Sequence, residues 1–247
     1  MENDIFAKNV YVYETLASTN ETAKEKALAG AAHGTTVIAV NQTNGRGSRG
    51  RRFFSARGGV FMSVILRPKL SSPETATLIT TAAAVIVCRA VRDVAGRDCR
   101  IKWVNDVFLG GKKICGILTE TVSGNDAVIL GVGINVTLGD DFPEELRGSA
   151  GAVFQDGEEV ESDVKDRLIS YLIDAFTAFS DDRFTEEGIM EEYRLRSLVT
   201  GREVTVAAPT GEYTAFAVDI DGMGRLIVKK ADGTLETLSS GEISIKI

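Results

Sequence analysis

Gly45-Arg46-Gly47-Ser48-Arg49-Gly50, continued by Arg51-Arg52-Phe53-Phe54-Ser55-Ala56-Arg57-Gly58-Gly59, matches G-x-G-x-x-G letter for letter. As a dinucleotide fingerprint the pattern must open a helix. The residues after Gly50 have no helical apolar face before two more glycines arrive, so a Rossmann fold is rejected. Glycines let a backbone approach a ligand closely, and successive N–H groups can form a nest for anions. The arginines add charge that does not titrate. The stretch reads as an irregular loop suited to carboxylate or phosphate groups. No G-x-x-x-x-G-K-[S/T] is present, which excludes an ordinary P-loop.

The charge around this loop is uneven. From Lys26 to Pro73 there is no acidic residue, while Lys26, Arg46, Arg49, Arg51, Arg52, Arg57, Arg67 and Lys69 give the window +8. The whole chain of 247 residues carries −7, so the remainder holds −15. Clustered arginines repel one another unless an anion or buried acids offset them, so the window points to anion binding. Residues 140–192 hold 17 acids against four bases and read as a solvated helical face. Net acidity argues against a dedicated nucleic-acid binder.

A single histidine, His33, excludes sites that need two, HExxH zinc chemistry among them, and it reads as a surface residue beside Gly34. Cys88, Cys99 and Cys115 match no CxxC spacing, and an odd cysteine count fits a reducing compartment. The N-terminus has no signal-peptide pattern. The longest apolar run, Ala82 to Cys88, is far short of the ~20 residues of a membrane span. The expectation is a soluble, cytoplasmic protein.

Patterning predicts strands over residues 10–15, 36–41, 60–67, 100–104, 107–109, 114–122 and 127–135, with a hairpin turn at Gly110-Gly111. Ser18 and Glu21 form a capping-box pattern ahead of a helix ending at Gly30. Ser72-Pro73-Glu74 starts an alanine-rich helix running to about Ala95. Residues 161–180 and 184–197 are expected to be helical. Beyond Leu198 short β-rich runs alternate with turns, which suggests a small barrel. The expected domains are 1–197 and 198–247.

Two further clusters stand out. Lys102-Trp103-Val104-Asn105-Asp106 ends a strand, and Lys112-Lys113-Ile114-Cys115-Gly116 opens the next arm of a hairpin. Without further context, Asn105-Asp106 is better read as plain turn chemistry and Lys113 as a solvated hairpin lysine. Gly131-Val132-Gly133-Ile134-Asn135 places glycines inside an apolar strand, which implies close backbone approach to a ligand or another strand.

Taken in order, Ser18-Thr19-Asn20, Gln42, the Gly45–Arg51 loop, Lys102-Trp103-x-Asn105-Asp106, Lys113-x-x-Gly116, Gly131-x-Gly133-Ile134-Asn135 and Ser240-Gly241-Glu242-Ile243-Ser244 resemble the biotin protein ligases. The resemblance implies an α+β fold: a mixed-sheet catalytic domain of the biotin/lipoate ligase type with a C-terminal SH3-like barrel. It implies ATP and biotin as substrates, Mg2+ with ATP, and a biotin carboxyl carrier protein or carboxylase biotinyl domain as acceptor. With 17 residues ahead of Ser18, the resemblance is to monofunctional members that lack a DNA-binding domain. No DNA or membrane partner is expected, and a homodimer is left open. No protein-held metal is expected.

The resemblance also distributes roles. Ser18, Thr19, Asn20 and Gln42 would bond the biotin ring system, with Gly45, Arg46, Gly47 and Gly116 around biotin. Arg49 and Arg51 would meet phosphate or carboxylate charge. Lys113 would meet the biotin carboxylate and α-phosphate. Phe53 would lie near adenine, with Lys102, Asn105 and Asn135 on the nucleotide side. Lys113, Asp106 and Arg51 are the expected catalytic residues, Asp106 serving the acceptor lysine. The implied chemistry needs no histidine, because the first nucleophile is an ionised carboxylate. The chain departs from the family pattern at Ser48, usually arginine, at Val104, commonly proline, and at Lys246. A lipoate ligase is the rival within the fold, and an RNA-binding protein using the Arg-Gly loop is the rival of another class.

Overall fold

The computed structural model describes residues 9–247 apart from Ala56, residues 70–71, 140–141, 180–186, 209–210, Ser240 and residues 246–247, and apart from the side chains of Arg49, Glu187 and Glu242. Two sheets organise the chain. The first contains β1 (Val10–Leu16), β2 (Thr36–Gln42), β3 (Gly59–Leu66), β4 (Arg100–Lys102), β5 (Asp106–Leu109), β6 (Lys112–Thr121) and β7 (Val128–Asn135). Its spatial order is β1-β2-β3-β7-β6-β5-β4. The β1–β2 pair is parallel and the other neighbours are antiparallel, so the sheet is mixed.

The central strands are buried on both faces. Every residue of β7 is buried, as are Val60 to Leu66 of β3. This is why they read as continuous apolar runs rather than alternating ones. Helix α1 (Thr19–Leu28) covers one face through Ala23 and Ala27, which pack with Val37, Ile65 and Ile129 in a small cluster. Helices α2 (Pro73–Ala95) and α3 (Val164–Thr177) cover the other face, where Met62, Val64, Leu130 and Val132 meet Val85, Leu168 and Leu172 in the main core. Each such aliphatic side chain contributes roughly 1.5–3 kcal/mol when fully removed from water.

Helix α2 runs as its sequence signals predict. Pro73 occupies its first turn, Ser72 Oγ accepts from the Thr75 N–H, and Gly96 ends it in the left-handed region. The start of α1 departs from its signal. Ser18 stands at the N-cap, but its hydroxyl makes no capping bond, and Glu21 turns to Arg46 instead. The capping box is thus not formed: the serine faces a cleft and the glutamate joins an ion pair.

Helix α4 (Glu187–Arg196) packs on α2 and β4. Helix α3 starts at Val164 and ends at Thr177, with Ala178 at its C-cap, so it is shorter at both ends than the expected 161–180; the expected start at residue 184 of the next helix lies outside the described residues. The second sheet contains β8 (Glu203–Ala208), β9 (Gly211–Ile220), β10 (Leu226–Lys230), β11 (Leu235–Leu238) and β12 (Glu242–Ser244). It is antiparallel throughout, in the order β11-β10-β9-β8-β12. Trp103 joins the two sheets: it is buried, donates from Nε1 to the Gly224 carbonyl at 2.8 Å, and lies against Gly241. Ser240 and Lys246 lie outside the described residues.

Candidate functional site

Among its described residues, the Arg-Gly loop between β2 and β3 contains no α-helix. A 3-10 turn over Ser48–Gly50 interrupts it, and Arg46 and Arg52 pair across its base. The Gly47 N–H donates to the Arg51 carbonyl at 2.7 Å, and the Phe53 N–H to the Gly45 carbonyl at 2.8 Å. The strand pair β2–β3 therefore holds a closed loop beside the α1 face of the first sheet.

A cleft of about 300 Å3 opens there, lined on one side by Ser18, Thr19, Asn20 and Gln42, and on the other by Asn105, Asp106, Lys113 and Gly116. Arg46, Gly47, Ser48, Arg51, Arg52 and Phe53 of the loop border it. Segments far apart in sequence, from Ser18 to Ser149, thus converge on one cleft.

The first wall is a buried polar network. Ser18, Thr19 and Asn20 are each 5% exposed or less. The Thr19 N–H donates to Gln42 Oε1 at 2.8 Å, and Gln42 Nε2 donates to Ser55 Oγ at 2.9 Å. Behind them Ser63 Oγ, wholly buried on β3, lies 2.8 Å from Thr19 Oγ1 and 2.6 Å from Asn20 Oδ1. Asn20 Nδ2 donates to Glu120 Oε2 at 2.8 Å. Glu120 also pairs with Lys24 at 2.7 Å and lies 3.6 Å from Arg46. Half-burial pushes the Glu120 pKa up, but the bonds from Lys24 and Asn20 and the charges of Lys24 and Arg46 outweigh it, so the carboxyl stays below its ordinary value.

The opposite wall is charged. Lys113 Nζ pairs with Asp106 Oδ1 at 2.6 Å, both partly exposed. The hairpin turn at Gly110 and Gly111, both with positive φ, sets Lys113 on β6 opposite Phe108 on β5, from where its side chain reaches along the strand to Asp106. Asn105 is held by β6: its Nδ2 donates to the Ile117 carbonyl at 2.8 Å, and its carbonyl accepts from the Ile117 N–H at 3.0 Å.

The glycines of β7 make the floor. A Cβ on Gly131 would collide with the Asn20 amide, and one on Gly133 would press to 2.7 Å from the Phe53 ring. The close approach expected of this strand is therefore to cleft side chains. Phe53 lies against Gly116 and Gly133 and meets Phe61 edge-on, with centroids 6.3 Å apart.

Three expected site residues lie outside the lining. Gly45 is buried behind it, where a Cβ would strike the Phe53 carbonyl. Lys102 sits at the end of β4 opposite Asp106. Asn135 donates from Nδ2 to the Gly151 carbonyl at 3.0 Å. The Arg49 side chain is outside the described residues. Of the other basic-window residues, Arg67 is structural: it bonds the Ala27 and Ala31 carbonyls and pairs with Asp126. His33 is exposed, as expected, and its Nδ1 accepts from the Arg67 N–H.

Arg52, Leu146 and Ser149 also line the cleft, and Ser63 and Glu120 stand behind it, although none of the five was expected as a site residue. Arg52 sat in plain view within the arginine cluster. Leu146 and Ser149 lie in the acid-rich stretch read as a solvated face. The segment instead folds back, with the Lys113 N–H donating to the Ser149 carbonyl at 3.0 Å. No local pattern signals that return.

The mixed sheet thus brings a neutral polar wall and a cationic wall to one cleft, an arrangement that can hold a hydrogen-bonding ring at one end and an anion at the other. Residues 12–136 match the biotin/lipoate A/B protein ligase family and residues 199–246 the biotin protein ligase C-terminal domain, and the chain belongs to that ligase family. It is 33% identical over 253 residues to the bifunctional ligase/repressor BirA of Bacillus subtilis, covering 99% of this chain and 76% of that protein. It is 33% identical over 233 residues to the biotin–[acetyl-CoA-carboxylase] ligase of Mycobacterium tuberculosis, covering 92% of this chain and 85% of that one. The biotin protein ligase from Aquifex aeolicus, solved with biotin and ATP, superposes with a TM-score of 0.79 at 26% identity over 96% of this chain and 98% of that one.

Proposed function

We propose that this protein activates biotin with ATP and transfers it to a lysine of a biotin carboxyl carrier protein or biotinyl domain. One observation supports this above the rest: the cleft joins a buried hydroxyl-and-amide wall to a cationic wall. A ureido ring, with two N–H donors and one carbonyl acceptor, suits the first. The valerate carboxylate and the ATP phosphates suit Lys113, Arg46, Arg51 and Arg52.

In the first step the biotin carboxylate attacks the α-phosphorus of ATP, and pyrophosphate leaves. The barrier is repulsion between anions, which fixed cations lower. Lys113 is paired with Asp106 until a substrate anion competes for it. That exchange frees Asp106 to accept a hydrogen bond or proton from the incoming acceptor amine in the second step. The Arg-Gly loop would close over the mixed anhydride and exclude water. Among the described residues no group of three metal-binding side chains exists, and the cleft carries one carboxylate among cations. Such a donor set does not cage a metal; Mg2+ would arrive on the ATP phosphates.

On this reading residues 198–247 form a separate SH3-like domain set against the catalytic domain of residues 1–197. The five-strand antiparallel order and the C-terminal match support it. The free, buried cysteines support a reducing, cytoplasmic setting. No helix among the described residues is long and apolar enough to cross a membrane. The test is pyrophosphate release from ATP with biotin or with lipoate. Biotin-dependent release is expected; release with lipoate alone overturns the proposal.

A further inference from the structure

Behind the neutral wall, each polar contact restricts the next. The Glu120 carboxylate can only accept, so Asn20 turns its amide nitrogen toward it at 2.8 Å. Lys24 at 2.7 Å and Arg46 at 3.6 Å keep that carboxylate charged. The Leu118 carbonyl takes a second, longer contact from the same nitrogen at 3.4 Å. A flipped amide would set oxygen against carboxylate and carbonyl, so one orientation is selected.

Asn20 Oδ1 consequently lies over Gly131, itself part of the cleft floor, and accepts from Ser63 at 2.6 Å. With its single hydrogen used there, Ser63 can only accept from Thr19 Oγ1 at 2.8 Å. Gln42 Oε1, 3.2 Å from the same hydroxyl, is also only an acceptor. The Thr19 hydrogen therefore points into the protein, and its lone pairs remain for the cleft.

We infer that Glu120 is a positioning residue that fixes the hydrogen-bond polarity of this wall, holding Asn20 Oδ1 and Thr19 Oγ1 as two acceptors for a ring that presents two N–H groups. This rests on the biotin reading and adds a basis for specificity. A ureido ring satisfies both acceptors. A dithiolane ring offers no N–H to either, so the lone pairs these oxygens keep for the cleft go without a donor. Glu120 does not line the cleft; it acts through Asn20.

The test compares binding of biotin and of its cyclic-carbonate analogue, in which both ureido N–H groups become ring oxygens. Calorimetry on the full chain is run for wild type, Glu120→Gln and Ser63→Ala. The wild type is expected to prefer biotin by about a hundredfold, the scale of lost polar complementarity at a buried site. Glu120→Gln can present either amide face to Asn20, so the preference should fall about tenfold, chiefly through weaker biotin binding. Ser63→Ala keeps the Glu120 contact and should hold the preference within about threefold. Turnover at saturating biotin should stay within about twofold of wild type in Glu120→Gln, since Glu120 touches no reacting atom.

Equal weakening of both ligands by Glu120→Gln would mean a merely structural role and overturns the inference. So does an unchanged preference in that variant, or its full loss in Ser63→Ala alone. A wild-type protein that binds no biotin overturns the substrate reading itself, which is a separate result.

Discussion

The two walls of the cleft solve opposite problems. Ser18, Thr19, Asn20 and Gln42 form a neutral, largely buried surface, in which Thr19, Asn20 and Gln42 are bonded to partners on several elements before any ligand arrives. Lys113, Asp106, Arg46 and Arg52 are charged and partly open to water, paired mostly with one another or with nearby acids. A buried neutral network is worth building in advance, because an unpaired polar group there costs about 1–3 kcal/mol. Exposed ion pairs are worth only ~0–1 kcal/mol, so they can be exchanged for substrate charge at little cost. On the proposed reading, recognition falls to the stiff wall and adenylyl transfer to the exchangeable one.

The division of labour can be broken from either side. Lys113→Ala removes the central cation of the open wall and should lower the rate of adenylation by about 100- to 1,000-fold, the usual cost of deleting one electrostatic stabiliser. Biotin affinity should fall far less; pre-steady-state pyrophosphate release alongside calorimetry separates the two. Unchanged turnover would remove Lys113 from the site.

Gly131→Ala attacks the stiff wall. Its Cβ would press on the Asn20 side chain rather than on backbone, so the sheet survives while the amide is pushed aside. Biotin affinity should drop roughly 10- to 100-fold, as expected when a buried polar site loses its fit. The rate at saturating biotin should change little.

Acid provides a graded version of the same test. The Glu120 pKa is lowered in the folded protein from an ordinary 4.5. Its stabilising contacts are therefore complete above pH 4.5 and are lost as the pH falls through the lower folded value. Protonation of the biotin carboxylate weakens binding in both proteins over the same range, so the wild type should lose several-fold more affinity below that point than Glu120→Gln does.

Ser48→Arg adds a positive charge to the loop where it borders the cleft and should slow adenylate dissociation about threefold, the scale of one exposed ionic contact. Equal dissociation rates would show that the loop does not depend on charge at that position.

Much of this arrangement was legible in the residues. The strands of the first sheet and helix α2 match their patterning to within about two residues, because deep burial on both faces and strong caps leave little ambiguity. The glycines of β7 announced a close approach, and Lys113 and Asp106 stood at strand ends. Other features were not legible. Ser18 and Glu21 carry the capping-box letters, yet a cleft and an arginine claim their side chains. Arg67 looked like part of an anion site but locks β3 to the end of α1 and the β6–β7 turn.

The sequence by itself determined the strand positions, the non-helical Arg-Gly loop and the clustering of cationic charge, since these depend on local periodicity, on glycine spacing and on composition; the mixed sheet was implied only by the family resemblance. Only the tertiary structure decided which polar groups face one another. Glu120 meets Asn20 across 100 residues, and Ser63 meets it across 43. Those contacts arise from strand register: Ser63 on β3 and Leu118 on β6 both lie opposite Gly131 on β7, and Glu120 comes two residues further along the same face. Register is set by the packing of the whole sheet, and no stretch of sequence read alone contains it.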